Sequence, residues 1–124
     1  MPSDDKTKHK KTRKSELDSA LDQVGDESVA AATKEFQDLL AQAKGDTTEL
    51  IRQNAEELEQ RLLLLKEHKI DKEDFDYFVE NQKRDLRAFI DSQPAQAQER
   101  AEELTLQLLG MAATKIAPLL LAMI

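Results

Sequence analysis

The sequence predicts an all-α fold: an antiparallel helical hairpin or coiled-coil-like bundle with a long, kinked, apolar C-terminal helix and a disordered basic N-terminal arm. Only 4% of the residues are aromatic, and three Gly and three Pro leave few helix breakers. Two stretches repeat apolar residues at alternating spacings of four and three, as in a coiled-coil seam. The last 21 residues, 104–124, contain no acidic residue and a single lysine, Lys115.

Composition limits the chain to one domain of 124 residues. Without cysteine it has no disulfide, no thiolate metal site and no Cys nucleophile. The polar N-terminus predicts no signal peptide, so we expect a cytoplasmic protein, with the cytoplasmic face of a membrane as a second location.

Charge divides the chain into an arm and a body. Residues 1–14 carry six basic and two acidic side chains, a net charge of +4. Because the whole chain has a net charge of −7, residues 15–124 have a net charge of −11. We expect 1–14 to be disordered. The candidate contacts with an anionic surface are Lys8, Lys10, Lys11, Arg13 and Lys14. No aromatic residue lies between them, so only unspecific contact with nucleic acid is expected, and a solubilising tail is the alternative.

Residues 15–25 predict a short amphipathic helix or binding segment. Ser15 is the candidate N-cap, and the helix is expected to end near Gly25. Leu17, Leu21 and Val24 recur at i, i+4 and i+7 and form one apolar stripe. A helix this short is not stable alone. We therefore expect it to dock on the rest of the chain or to fold on a partner.

Residues 26–103 predict the hairpin or bundle, with helices over about 28–44, 47–68 and 72–91. Asp26 or Ser28 caps the first, and Gly45 ends it in the left-handed conformation. The apolar side of this helix is formed by Val29, Ala32, Phe36, Leu39 and Leu40. Asp46 is expected to cap the second helix, with Glu49 at the capping-box position.

The second and third of these helices carry matched apolar seams. The first seam is Ile51, Ala55, Leu58, Leu62 and Leu65; the second is Phe75, Val79, Leu86 and Phe89, with Gln82 as its one polar member. Between them, Asp71 and Asp74 predict a capping box, and Ile70 with Phe75 predicts a hydrophobic staple. Two seams joined by a short turn indicate an antiparallel αα-hairpin.

A last helix is predicted from Pro94 to residue 117 or beyond, and its second half, 104–124, is nearly long enough to span a bilayer. Its seven Leu and two Ile contribute roughly −3 to −5 kcal/mol to insertion, whereas Lys115 costs about 2.5 to 3.5 kcal/mol. A lone constitutive span is therefore not supported. Pro118 predicts a kink or helix end near 114–118.

Projected at 100° per residue, the apolar residues of this segment cover about half of the helix circumference, and Lys115 falls inside their arc. The predicted partner or membrane contacts are Leu104, Leu108, Met111, Lys115, Ile116, Leu119 and Leu120. Lys115 has three interpretations: its ammonium snorkels to water, it pairs with an acid on another helix, or it is a functional charge in a membrane cavity.

No pattern predicts catalysis. His9 and His68 have no partners at triad or metal-site spacing, and the acidic run 71–76 lacks the glycine and the twelfth-position acid of a calcium loop. We therefore expect no enzyme, cofactor, metal or small-molecule substrate.

The favoured function is a non-catalytic interaction or assembly protein that oligomerises, or docks on another helical protein, through its apolar C-terminal helix. The alternatives are a tail-anchored or membrane-inserting protein that uses 104–124 in lipid, and a small regulatory adaptor that binds through its N-terminal segment.

Overall fold

A computed structural model of the chain describes residues 16–23 and 27–122. Most of these residues are helical, and there is no strand among them. The helices are α1 (Glu16–Asp22), α2 (Glu27–Lys44), α3 (Glu49–Lys66), α4 (Lys72–Asp91) and α5 (Ala95–Ala122). The all-α class and the long apolar C-terminal helix are confirmed. The predictions made for 1–14, Ser15, Val24, Gly25 and Asp26 lie outside the described residues, as does the Ser28 side chain as a cap.

The start of α4 forms as its local sequence predicts. The Asp74 backbone N–H donates to the Asp71 carboxylate at 2.8 Å, and the Asp71 N–H donates to the Asp74 carboxylate at 3.3 Å. This reciprocal capping box satisfies two backbone donors at the first turn. Phe75 is fully buried and Ile70 packs half-buried against the core, so the chain enters α4 with both apolar side chains turned inward.

The left-handed residue lies in a different turn from the predicted one. Gly45 does not have a positive φ, and its N–H donates to the Ala41 carbonyl at 3.1 Å, which continues the helical pattern. His68, with φ 63°, takes the left-handed conformation just after α3. The N–H of the next residue, Lys69, donates to the Leu64 carbonyl at 2.9 Å. Closure of the α3 terminus by this bond holds a non-glycine residue in a strained region.

The N-cap of α3 is Thr48, so the prediction that Asp46 caps this helix is wrong. The Asp46 carboxylate accepts the Thr48 backbone N–H at 2.9 Å, and its carbonyl accepts a hydrogen bond from Arg52 at 2.9 Å. Asp46 therefore shapes the loop ahead of α3, as Asp does in turns.

The core is assembled around α5, which contacts α2, α3 and α4. All five residues of the first seam, Ile51, Ala55, Leu58, Leu62 and Leu65, are buried. On α4, Phe75, Val79 and Leu86 are buried, whereas Gln82 and Phe89 are half-buried. Phe78 and Ile90 are buried as well, so the inward face of α4 is wider than the predicted seam.

Two π-helical turns, Glu103–Gln107 and Ala112–Ile116, interrupt α5. In the second, the Ala117 N–H donates to the Ala112 carbonyl, five residues back. The helix continues past Pro118 to Ala122, so it does not end at 114–118. Pro118 has no N–H for the Thr114 carbonyl, and the π turn lies where the α-helical bond is missing.

Candidate functional site

The C-terminal apolar segment packs mainly inside the chain's own core. Of its seven predicted contact residues, Leu104, Leu108, Met111, Ile116 and Leu120 are buried, Leu119 is half-buried and Lys115 is exposed. A partner or bilayer reaches the buried five only if α5 separates from α2, α3 and α4. The surface that this helix offers directly is therefore small and lies around residues 114–119.

Lys115 does not lie on the buried side of α5, which corrects the arc derived from the sequence. That arc assumed a constant 100° per residue, but each π turn inserts an extra residue and rotates the side chains beyond it by about 100°. Lys115, beyond the first π turn, is exposed as a result, and Ala117, beyond both, is buried. Among the described residues, no carboxylate lies within ion-pair distance of Lys115, which favours the snorkelling interpretation.

An open groove runs between the exposed part of α5 and the first turns of α2. It has a volume of about 430 Å³, and its lining residues are Val29, Ala32, Thr114, Lys115, Pro118 and Leu119. Thr114 directs its hydroxyl to the Gly110 carbonyl at 2.8 Å, so the helix itself uses that donor. The groove therefore offers an apolar floor with one ammonium group at its edge.

The contribution of α2 to this groove was not predicted from the sequence. Val29 and Ala32 were recognised as members of an apolar helix side, but both are only half-buried. The only local signal for the groove is that an apolar residue, Val29, lies in the first turn of α2.

Thr105 is a fully buried polar residue inside the first π turn. Its hydroxyl donates to the Ala101 carbonyl at 2.6 Å. A threonine that bonds back to the carbonyl four residues earlier satisfies itself without a partner helix, and such bonds are associated with bent helices. The buried Thr105 hydroxyl therefore has its hydrogen-bond partner within its own helix.

A buried carboxylate ties the α2–α3 loop to the first half of α5. The Asp46 side chain is 2% exposed and is paired with Arg100, which is 63% exposed. Burial raises the pKa of Asp46, but hydrogen bonds from the Thr48 backbone and from Arg100 outweigh it, and the pKa lies below its usual range. Asp46 and Arg100 are 54 residues apart in the chain, so no local sequence pattern predicts that they pair.

The predicted N-terminal binding segment is docked where the structure describes it. Leu17 and Leu21 are buried, and α1 contacts α3. Gln37 of α2 donates to the carboxylates of Asp18 and Asp22, each at 3.3 Å. Leu17 and Leu21 are therefore occupied by the chain itself.

The remaining candidates were the basic-arm residues Lys8, Lys10, Lys11, Arg13 and Lys14, which lie outside the described residues. Within 16–23 and 27–122, no group of three His, Asp or Glu side chains is arranged to hold a metal ion.

Comparison of the chain with protein-family models, with curated proteins and with solved structures gives no significant match.

Proposed function

We propose that this chain is a non-catalytic helical interaction protein that associates with a second copy of itself through the groove between α2 and α5. In the proposal α3 and α4 form an antiparallel hairpin and α5 packs along it, in the cytoplasm or at the cytoplasmic face of a membrane. The observation that carries the proposal is the open apolar groove beside the exposed Lys115.

The chemistry of the groove favours an acidic amphipathic helix as its occupant. Apolar side chains from such a helix would cover Val29 and Leu119, and a carboxylate beside them would pair with Lys115. The body of this chain carries a net charge of −11 and is built from amphipathic helices, so a second copy provides that chemistry. A partly covered ion pair supplies orientation more than affinity, so we expect the apolar floor to provide most of the free energy of association.

Sedimentation velocity across a micromolar concentration series tests this association. We expect reversible oligomers for the wild type. We expect weaker association in Leu119→Glu, which places a charge on the apolar floor, and in Lys115→Glu, which repels an acidic helix. Leu50→Glu is the matched control, because Leu50 is an apolar residue 41% exposed on α3 and does not line the groove.

A strict monomer throughout the series would contradict self-association. Association that Leu50→Glu weakens and Leu119→Glu leaves intact would place the contact on another surface. Helical content by circular dichroism must match the wild type in each variant, so that a folding defect is not mistaken for lost binding.

Conditional membrane insertion is the second candidate, and the length of α5 favours it. Ala95–Ala122 is a helix of 28 residues, long and apolar enough to cross a bilayer, with half of its most apolar stretch buried in the chain. A core helix of a water-soluble protein meets the same criteria. Insertion removes α5 from the core of the chain, so its favourable free energy would have to exceed the folding free energy that is lost. For a domain of this size the folding free energy is about 5–15 kcal/mol. It therefore requires a trigger or several cooperating copies.

Quenching by brominated lipids tests insertion in the full chain. The chain has no tryptophan, so Leu106→Trp, at a half-buried position of α5, provides a single reporter. Insertion predicts quenching of this tryptophan in anionic vesicles. Tyr77→Trp, at a position 72% exposed on α4, is the control and should remain unquenched. Equal fluorescence of Leu106→Trp with brominated and ordinary lipid would exclude the membrane role.

A further inference from the structure

Tyr77 is the most exposed large hydrophobic side chain among the described residues. It lies in the second turn of α4 and is 72% exposed, whereas Leu50, the next most exposed, is 41% exposed. Burial of an aromatic side chain removes about 150–250 Å² from water, and tyrosine is enriched among the residues that dominate binding at protein interfaces. Tyr77 is therefore a candidate contact for another molecule.

Carboxylates lie one helical turn from Tyr77 on both sides. Glu73 is four residues before it and Glu80 three after it, so both share its side of α4, and both are exposed. Among the described residues, Glu73 has no ion-pair partner, and the Glu80 carboxylate is 3.9 Å from the Lys83 ammonium. Residues 71–80 carry five acidic side chains and one basic, a net charge of −4. Glu73, Tyr77 and Glu80 together form what we call the Tyr77 face.

The groove between α2 and α5 is complementary to the Tyr77 face in charge. The groove has an apolar floor, and its lining contains one ammonium, that of Lys115, and no carboxylate. An aromatic ring suits such a floor, because a tyrosine buries its apolar body and keeps its hydroxyl at the wet edge of a contact. Carboxylates beside the ring suit the ammonium.

The two surfaces also match in spacing. Lys115 and Leu119 are four residues apart on α5, which is about 6 Å along a helix, and the carboxylates of the Tyr77 face lie about 4.5–6 Å from Tyr77 along α4. When Tyr77 covers Leu119, a partner helix parallel to α5 brings Glu73 towards Lys115. An antiparallel helix brings Glu80 there. The spacing therefore fits for either direction of the partner helix.

We infer that the Tyr77 face of one molecule docks in the groove between α2 and α5 of a second copy. This inference rests on the proposed self-association and names the surface that fills the groove. Among the described residues, none from α4 lines the groove, and Tyr77 is exposed, so the two surfaces do not meet within one molecule. Each copy then contributes a different surface to each of its two contacts. Association is head-to-tail, and it continues from copy to copy as a chain unless a ring closes.

Leu50 does not offer the same surface. α3 begins at Glu49, and the residues one turn after Leu50 are the uncharged Gln53 and Asn54. A helix that docked through Leu50 would therefore bring no carboxylate of α3 to the position one turn away that Lys115 requires. Leu50 is consequently a matched control for Tyr77, as an exposed hydrophobic residue without the flanking acids.

Sedimentation velocity of two defective variants, alone and mixed, tests the inference. Tyr77→Ser removes the ring, and we expect it to raise the dissociation constant about tenfold or more, whereas Leu50→Ser should leave it unchanged. Leu119→Glu disables the groove and leaves the Tyr77 face intact. An equimolar mixture of Tyr77→Ser and Leu119→Glu should form a 1:1 dimer and nothing larger. One intact face meets one intact groove in that dimer, and the surfaces that remain free are both defective.

Charge reversal tests the ion pair separately. Lys115→Glu alone and Glu73→Lys/Glu80→Lys alone should each associate more weakly than the wild type, because like charges then face each other. An equimolar mixture of the two should recover association, since every contact in it pairs opposite charges. Glu49→Lys/Glu56→Lys changes the net charge equally at exposed positions of α3 and is the control, which should not recover association with Lys115→Glu.

The outcomes separate this inference from the proposed function. Wild-type association in Tyr77→Ser, together with its loss in Leu119→Glu, would overturn the inference and leave self-association through the groove standing. A mixture of these two variants that stays monomeric, or that grows beyond a dimer, would also overturn it. A wild type that is monomeric at every concentration would overturn both.

Each variant must match the wild type in helical content and urea midpoint before its association is compared. If Leu119→Glu fails this comparison, Lys115→Glu, at an exposed position of the same groove, takes its place in the mixture with Tyr77→Ser. The same 1:1 dimer is then expected, and its absence would overturn the inference.

Discussion

Asp46→Asn tests the connection between the α2–α3 loop and α5. The carboxylate accepts the Thr48 N–H at 2.9 Å and is paired with Arg100, and it is almost fully buried. Asparagine has one acceptor oxygen, so it can keep the bond from Thr48 and loses the charged contact with Arg100. A hydrogen bond to a charged group contributes about 1.5–3 kcal/mol. Because Arg100 is 63% exposed, solvent screening reduces the value of the pair, and we expect a loss of about 1–2 kcal/mol.

The pH dependence of this loss has a definite sign. The pKa of Asp46 is lower in the folded chain than its unfolded value of about 3.9. Its contribution to stability is therefore present above the unfolded pKa and is lost as pH falls through the folded pKa. The difference in unfolding free energy between wild type and Asp46→Asn should be constant near neutral pH and should shrink in acid, below about pH 4.

Urea denaturation followed by circular dichroism, repeated at several pH values, measures both quantities. Asp91→Asn is the control, because Asp91 is an exposed carboxylate at the end of α4, and its loss should change stability by no more than about 0.5 kcal/mol. Equal urea midpoints for Asp46→Asn and wild type, or a difference between them that does not change with pH, would refute the role assigned to this carboxylate.

Three further substitutions have defined expectations, each measured by urea denaturation. Leu108→Ala removes a fully buried side chain of α5 and should cost about 2–5 kcal/mol, whereas Leu50→Ala, at a position 41% exposed, should cost far less. Asp71→Ala removes the carboxylate that caps α4 and should cost about 0.5–2 kcal/mol, and no effect would show that the capping box is not needed. Thr105→Val removes only a hydroxyl that its own helix satisfies, so we expect a change within about 1 kcal/mol; a larger loss would mean that this hydroxyl holds the π turn.

Features set by neighbouring residues were predictable from the sequence. The box between Asp71 and Asp74 depends on residues three positions apart and forms as expected. The seam of α3 is buried at every predicted position, because a spacing of four and three keeps side chains on one helix face.

Features set by tertiary contacts were not predictable. Asp46 was expected to cap α3 because its local sequence suits that role, but its carboxylate is used by Thr48 and by Arg100, 54 residues away. Gly45 was the expected left-handed residue, but the left-handed conformation occurs at His68, in the turn after α3. Asn54 looks like an ordinary polar residue in sequence, but it is 2% exposed and its side-chain amide has no hydrogen-bond partner among the described residues.

The C-terminal helix shows how an assumed regular geometry changes a candidate site. A uniform helical projection assigns Lys115 and Leu119 to the buried face, but the π turns move Lys115 into solvent and leave Leu119 half-buried. The same projection places Leu108 and Ile116 inward, and both are fully buried. The accessible site is consequently the groove near residues 114–119, and not the whole apolar segment.

Amide hydrogen exchange of α5 in buffer, over a range of protein concentrations, tests most directly whether this helix belongs to the core of the single chain. If it does, the amides around Leu108 and Ile116 exchange only through global unfolding, and their protection is the same at every concentration. Self-association then adds protection only near the groove. Rapid exchange of Leu108 and Ile116 at low concentration, with protection that appears only as the concentration rises, would contradict the account and show that α5 needs another molecule to be covered.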